Sequence, residues 1–158
     1  MSEPRWLLDG MLGRLARHLR FVGHDTAYAP DTSDDDLIVR AIRESRILVT
    51  RDRTLAARSA PSLLLRSVDI RGQWREVREA YPALPWGVVF DRCSRCNSSV
   101  APGAESGLGE LPATVPMRAR NGAIPVFRCP ACGHLYWEGS HTAHIRQQHR
   151  EWGEGGAP

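Results

Sequence analysis

The chain has 158 residues, a hydrophobic fraction of 42% and a formal net charge of +3. These values permit one ordinary domain, or a small domain with an appendage, built around a packed core. No stretch approaches the roughly 20 apolar residues that a transmembrane helix needs. The first five residues lack the charged, apolar and small-residue regions of a signal peptide. We therefore expect a soluble, cytoplasmic protein with no membrane partner.

Arginine supplies the whole positive charge, since the 21 basic residues include no lysine. Arginine offers a planar fork of donors that suits phosphate, and it stacks on nucleobases. A genome rich in G and C produces the same bias without functional meaning. Composition alone leaves both interpretations open.

The first strand and helix are predicted from residues 6–22. Residues 6–8 form a short apolar run that ends in Asp9 and Gly10, which indicates a buried strand followed by a turn. Residues 11–22 then place Leu12, Leu15 and Leu19 on one helical stripe. Residues 24–28 favour a second short strand.

The next elements repeat this alternation. Ser33 followed by three aspartates is typical of a helix start, with a capping hydroxyl and acids in the first turn. Residues 46–50 and 61–66 read as strands, and residues 72–81 read as a helix. Strand and helix alternating at this spacing predict an α/β domain with a parallel sheet and right-handed crossovers.

A change of composition divides the chain near residues 88–91. Residues 1–90 contain no cysteine, whereas all four cysteines follow residue 91. We predict an α/β domain over residues 1–90, a zinc ribbon over 91–150 and a flexible tail over 151–158. Residues 101–125 are rich in Gly, Pro and Ala and predict an extended loop within the ribbon.

Aspartates follow the predicted strands. Asp9 and Asp52 come at or just after strand ends, and the helix near Asp34 would bring a third carboxylate to the same edge. Clustered carboxylates repel one another unless a cation intervenes, and Mg²⁺ and Mn²⁺ prefer oxygen ligands. Such ions assist attack of water on a phosphodiester.

Each acid also has a purely structural interpretation. Asp9 before Gly10 is typical of a turn or cap, and residues 34–36 of a dipole-stabilised helix start. Asp52 would serve equally as a helix cap or a surface ion pair. The helix after Asp9 carries Arg14, Arg17 and Arg20. These side chains would either contact phosphate or only form a solvent-exposed face of that helix.

Four cysteines give the strongest signal. Cys93 and Cys96 form one C-x2-C pair, and Cys129 and Cys132 form another. Two such pairs suit tetrahedral Zn²⁺. Disulfides are not expected in an intracellular chain, and a redox C-x-x-C would lie near a βαβ unit.

Residues around the second cysteine pair include histidines and aromatics. Four cysteine ligands need no histidine, so the histidines at 134, 141, 144 and 149 are predicted to lie at the surface or beside the ligands. Tyr136 and Trp137 would either stack on bases or cover the small ribbon core, and we favour the core.

The order of these motifs resembles a known family, PIN-like ribonuclease domains joined to a C-terminal zinc ribbon and named after the C-terminal part of the Mut-seven exonuclease. The matching segments are residues 7–17, 34–37, 47–52 and 136–141, together with both cysteine pairs.

The resemblance implies a PIN-like fold with an acidic, metal-binding pocket. It implies catalytic roles for Asp9, Asp34, Asp35 and Asp52, with Asp69 the nearest candidate for a fourth acid. Arg51, beside Asp52, joins Arg14, Arg17 and Arg20 as an RNA-binding candidate.

Three functions follow as hypotheses. The first is an Mg²⁺- or Mn²⁺-dependent ribonuclease whose zinc ribbon assists RNA binding. The resemblance alone implies that it cuts RNA internally. The second is a non-catalytic RNA-binding or ribosome-associated protein. The third is a toxin-like nuclease neutralised by a partner protein.

Overall fold

A four-stranded parallel sheet forms the centre of the first domain in the computed structural model, which describes residues 3–100 and 110–154. The strands are β1 (Trp6–Asp9), β2 (Thr26–Ala29), β3 (Ile47–Thr50) and β4 (Ser62–Leu64). Their order is β2-β1-β3-β4, and every pairing is parallel. The predicted α/β class and the parallel sheet are confirmed.

Four helices flank this sheet: α1 (Gly13–Phe21), α2 (Asp34–Arg43), α3 (Arg53–Arg58) and α4 (Ile70–Ala80). The helix predicted from residue 11 begins instead with a 3-10 turn, Gly10–Leu12, because the Asp9 side chain accepts the Met11 N–H. α4 begins two residues earlier than predicted because Asp69 caps it by accepting the Gly72 N–H. In both cases a capping carboxylate sets the boundary.

Both faces of the sheet are buried, as a parallel sheet requires. On one face Trp6 and Leu8 pack with α1 and α4, and on the other Leu7 and Leu48 pack with α2 and α3. Adjacent residues of β1 thus point into two different cores. The carboxyl ends of β1 and β3 are left side by side, where Asp9 and Thr50 lie.

The second region combines a small hairpin with two helices. Its elements are α5 (Met117–Arg120), β5 (Val126–Arg128), β6 (Leu135–Trp137) and α6 (Ser140–Glu154). β5 and β6 pair antiparallel. Part of the predicted loop is therefore structured, because Val115 before α5 and Ala119 within it pack against Val126 and Trp137. Residues 101–109 of that loop lie outside the described residues.

Helix α6 corrects two predictions. It runs to Glu154, so residues 151–154 are helical and not a flexible tail; residues 155–158 lie outside the described residues. Trp152 is 7% exposed and joins the core of α1 and α4. His149 is likewise buried, although we predicted a surface or ligand-adjacent position. Ile145, His149 and Trp152 follow helical spacing, which places them on one inward face.

His18 of α1 and His149 of α6 meet in this core, with 2.8 Å between His18 Nδ1 and His149 Nε2. Burial, together with the charge of neighbouring groups, lowers the pKa of His18 to about 3 and that of His149 to about 4. The unfolded chain binds protons at these residues below its pKa of about 6.5, whereas the folded chain does not. Stability is therefore lost as the pH falls from above 6.5 towards these lowered values.

We expect the two histidines together to lower the free energy of unfolding by about 1–2 kcal/mol between pH 7.5 and pH 6.0. Urea unfolding at both pH values would measure it. His149→Gln should flatten this pH dependence, while His144→Gln, which changes an exposed residue of the same helix, should leave it intact. An unchanged slope in His149→Gln would contradict the assignment.

Candidate active site and metal centre

A connected set of polar groups lies at the carboxyl edge of the sheet. Asp9, 5% exposed, accepts the Met11 N–H through Oδ1 at 3.1 Å. Its Oδ2 accepts a hydrogen bond from the Thr50 hydroxyl, on the neighbouring strand. Thr50 Oγ1 in turn accepts the Asp52 N–H at 3.0 Å. The Asp9 carboxylate is therefore held in one orientation by β1 and β3 together.

Asp52 caps a helix through only one of its two carboxylate oxygens. Its Oδ1 accepts the N–H groups of Thr54 at 2.7 Å and Leu55 at 3.0 Å, which begins α3. Within the described chain its Oδ2 makes no hydrogen bond. Capping, the structural alternative for Asp52, is confirmed, and it leaves the second oxygen available to a ligand.

Three exposed carboxylates open α2. Ser33 caps the helix and exchanges hydrogen bonds with Asp36, at 2.7 Å between Ser33 Oγ and Asp36 Oδ2. Asp35 forms an ion pair with Arg58 of α3. Asp34 makes neither an ion pair nor a side-chain hydrogen bond within residues 3–100 and 110–154. Of the three carboxylates, Asp34 therefore has the fewest contacts within the described chain.

The loop before α2 lies against the turn that follows β1. A Cβ atom at Gly10 would lie 3.6 Å from Pro30 Cα and 3.9 Å from Asp31 N. Tyr28 Oη also donates to the Gly10 carbonyl at 2.9 Å. This approach puts Asp31 at the same edge, an exposed acid that the sequence analysis did not select because it follows no recognisable motif.

The edge carboxylates are not assembled into one compact site. In the part of the chain that the structure describes, only the four cysteines form a group of three or more ligand residues close enough to share a metal ion. Mg²⁺ commonly keeps several waters and takes only one or two carboxylates directly. The free oxygens of Asp34 and Asp52, with the oriented Asp9, suit that mode of binding.

The arginines near this edge differ in their surroundings. Arg14 and Arg17 are exposed on α1. Arg51, beside Asp52, is half-buried, and its Nε is buried with no hydrogen-bond partner in the described part of the chain. Asp69, the candidate fourth acid, is exposed and caps α4 through a 2.9 Å contact with the Gly72 N–H.

Arg20 does not face solvent with Arg14 and Arg17, although the sequence analysis grouped the three. It is 6% exposed and donates to the Thr26 carbonyl at 2.8 Å. It also donates to the carbonyls of Ser94 and Arg95, at 3.0 and 3.1 Å. Arg20 therefore joins the sheet domain to the first cysteine pair, a long-range contact that helical periodicity does not reveal.

The four cysteines have the donor set and the spacing of a zinc site. Cys93 Sγ lies 3.6 Å from Cys132 Sγ, and Cys96 Sγ lies 3.5 Å from Cys129 Sγ. All four sulfur atoms lie within 4.8 Å of one another. Tetrahedral Zn²⁺ with bonds of about 2.3 Å separates its sulfur ligands by about 3.8 Å. The thiols are not disulfide-bonded, so the predicted ligand set fits a single zinc ion.

Tyr136 packs behind the cysteines, as predicted for a core residue. Its Oη lies 3.0 Å from Cys93 Sγ and accepts the Ser94 N–H at 3.0 Å. Trp137 belongs to the neighbouring cluster around Val126. His134, His141 and His144 are exposed, in agreement with their predicted surface position.

Asn97 connects the first cysteine pair to the sheet. Its Oδ1 accepts the Thr26 N–H at 2.8 Å, and its Nδ2 donates to Asp25 Oδ1 at 2.7 Å. Burial opposes charge on Asp25, but hydrogen bonds from Arg46, Asn97 and Arg5 outweigh it and lower its pKa. The zinc centre and the edge strand β2 therefore share one hydrogen-bond network.

These features define an α/β domain with carboxylates at the carboxyl edge of a parallel sheet, coupled to a four-cysteine metal module. The family model of the Mut7-C RNAse domain matches residues 4–149. The chain therefore belongs to the Mut7-C RNase family, as the sequence analysis suspected, and this membership supports a ribonuclease role acting on RNA. Comparisons with curated proteins and with solved structures found no match. The described chain has no helix long and apolar enough to cross a membrane.

Proposed function

We propose that the chain is an Mg²⁺- or Mn²⁺-dependent endoribonuclease whose reaction takes place at the carboxyl edge of the sheet. The observation that carries the proposal is the hydrogen-bonded series Asp9, Thr50, Asp52 in a domain of an RNase family. It fixes the Asp9 carboxylate, while Asp52 Oδ2 and the Asp34 carboxylate make no hydrogen bond within the described chain.

Asp9, Asp34 and Asp52 would hold the ion. When bound, such an ion would supply activation of water and stabilisation of charge on the phosphodiester. Hydrolysis then forms a bond from the water oxygen to phosphorus and breaks the bond to the leaving ribose oxygen, which takes a proton. Asp35, which follows Asp34 in the first turn of α2, is the next candidate for an ion-binding acid.

RNA would reach this edge across α1 and α3. Arg14 and Arg17 are exposed on the helix that begins just after Asp9, and arginine contacts to phosphate supply most non-specific affinity. Arg51 precedes Asp52 in the chain and is half-buried, and its guanidinium would donate to a phosphate oxygen. The zinc ribbon would extend the binding surface.

One observation favours a second candidate, a non-catalytic RNA-binding protein. Over residues 3–100 and 110–154, the aspartates do not form a compact metal group. In that case the ribbon and the arginines bind RNA, and the edge carboxylates only cap helices.

Cleavage of a single-stranded circular RNA separates these candidates, because a circle has no end for an exonuclease to use. The zinc-loaded wild type should linearise and then fragment the circle when Mn²⁺ or Mg²⁺ is added, and should leave it intact without them. RNA binding with no cut in either metal would support the second candidate. Equal cleavage with and without added metal would contradict a metal-dependent reaction.

A further inference from the structure

A surface cavity of about 520 Å³ lies between α4, α6 and residues 86–88, and it shares no residue with the carboxylate edge. Its volume falls within the range of small-molecule sites. Three arginines line it, at positions 78, 146 and 150, and no acidic residue does so among the described ones. The cavity is therefore suited to an anion.

The three arginines are not equally available. Arg146 already binds both carboxylate oxygens of Glu138, each at 2.8 Å, and lies over the Phe90 ring. Arg78 and Arg150 pair with no acidic side chain in the portion of the chain that is described. Gly153 leaves the space that Arg78 fills, since a Cβ there would collide with Arg78 Nη1. Two guanidinium groups thus remain for a ligand.

Two buried polar atoms of residues that line this cavity have no partner among the described residues. Trp74 and His149 both line it, and within residues 3–100 and 110–154 Trp74 Nε1 and His149 Nδ1 are buried without a hydrogen bond. His149 is only 7% exposed, and its Nε2 already contacts His18. Buried polar groups are nearly always paired in folded proteins. Indole N–H is only a donor, and the described chain offers this one no acceptor.

The cavity also has an aromatic wall. Trp86 is half-buried and packs edge-on against Trp74, with 5.3 Å between ring centroids. A flat base stacks on such an indole, while arginine donates charge-assisted hydrogen bonds to phosphate. Phosphate donors and a stacking surface within one cavity are the two parts of nucleotide recognition.

From this arrangement we propose that the cavity binds a nucleotide, with its phosphate at Arg78 and Arg150 and its base against Trp86. The proposal adds a second RNA contact to the proposed ribonuclease and rests on that function only if RNA is the source of the nucleotide. A free mononucleotide offers the same chemistry.

Isothermal titration of the zinc-loaded full chain with adenosine 5′-monophosphate tests the site, with no divalent cation added. We expect saturable binding that Arg78→Gln weakens at least tenfold. Arg71→Gln removes the same charge from an exposed position of the same helix and should change affinity less than twofold. Arg150→Gln, at an exposed position of α6, is a second test should Arg78→Gln fail to fold.

Competition then identifies the source. Displacement of the mononucleotide by a single-stranded RNA octamer assigns the cavity to RNA, and preference for a 5′-phosphorylated octamer over its 5′-hydroxyl form assigns it to the RNA end. Binding without competition by RNA assigns it to free nucleotide. Three results would overturn the proposal: no saturable binding, binding no tighter than that of inorganic phosphate, or equal weakening by Arg78→Gln and Arg71→Gln. The test involves no cleavage, so it stands or fails separately from the ribonuclease activity.

Discussion

Asp9→Asn is expected to reduce RNA cleavage at least about 100-fold, because it removes the charge of the one carboxylate that β1 and β3 orient together. The amide still offers an oxygen to the Met11 N–H, so the 3-10 turn after β1 should persist. Loss of charge at the edge, and not unfolding, would then account for the loss of cleavage.

The matched control is Asp36→Asn, in the first turn of α2. Asp36 carries the same charge and contacts Ser33, and neither residue is placed in the reaction. We expect its cleavage rate to stay within about threefold of the wild type, since surface substitutions of this kind have small effects. Single-turnover rates at saturating Mn²⁺ would measure both variants. Equal losses in the two variants would show that Asp9 has no special place at this edge.

Removal of zinc is expected to destabilise the sheet domain as well as the ribbon. Structural Zn²⁺ contributes about 10–16 kcal/mol in small cysteine sites, which is comparable with the total stability of a domain. Asn97 and Arg20 connect the first cysteine pair to Thr26 of β2. Without zinc, the loop that presents Asn97 loses its anchor, and β2 loses a partner at its first residue.

Cys129→Ser should therefore lose stoichiometric zinc and lower the thermal midpoint by at least about 10 °C. Hydrogen exchange of the Thr26 amide would show the effect directly, because that N–H donates to Asn97 Oδ1. Asn97→Gly tests the connection alone: Gly accepts the φ of 73° found at this position but removes the side chain. It should keep zinc and still expose the Thr26 amide. Unchanged exchange in both variants would show that the two regions are independent.

Local patterns predicted the elements of the sheet domain well. Apolar runs marked β1, β3 and β4, and Ser33 followed by acids marked the start of α2. These signals work because burial and capping act within a few residues of one another. The cysteine pairs were equally clear, since thiolate chemistry at that spacing has few other uses.

Long-range contacts could not be predicted in this way. Arg20 and His149 each looked like exposed polar residues, yet Arg20 binds ribbon carbonyls and His149 meets His18 from 131 positions away. Trp152 was placed in a tail, although its spacing from Ile145 continues the buried face of α6. Periodicity shows which residues share a face, and only the packing of helices decides what covers that face.

The acidic edge of the sheet could be predicted only in part. Strand ends predicted where Asp9 and Asp52 would lie, and Thr50 links the Asp9 carboxylate to the backbone N–H of Asp52. The sequence does not contain the distances among the carboxylates, which depend on loop geometry such as the contact of residues 30–31 with Gly10. The number of bound ions and the identity of their ligands must therefore be measured in the reaction itself.

Comparison of the wild type with Asp52→Asn on single-stranded RNA in Mn²⁺ tests the central claim most directly. Asparagine caps helices as well as aspartate does, so α3 and the fold should be retained while the free carboxylate oxygen is lost. We predict cleavage by the wild type, at least about 100-fold less by Asp52→Asn, and equal zinc content and similar RNA affinity in both. Equal cleavage by the two proteins would contradict a nuclease site at this edge.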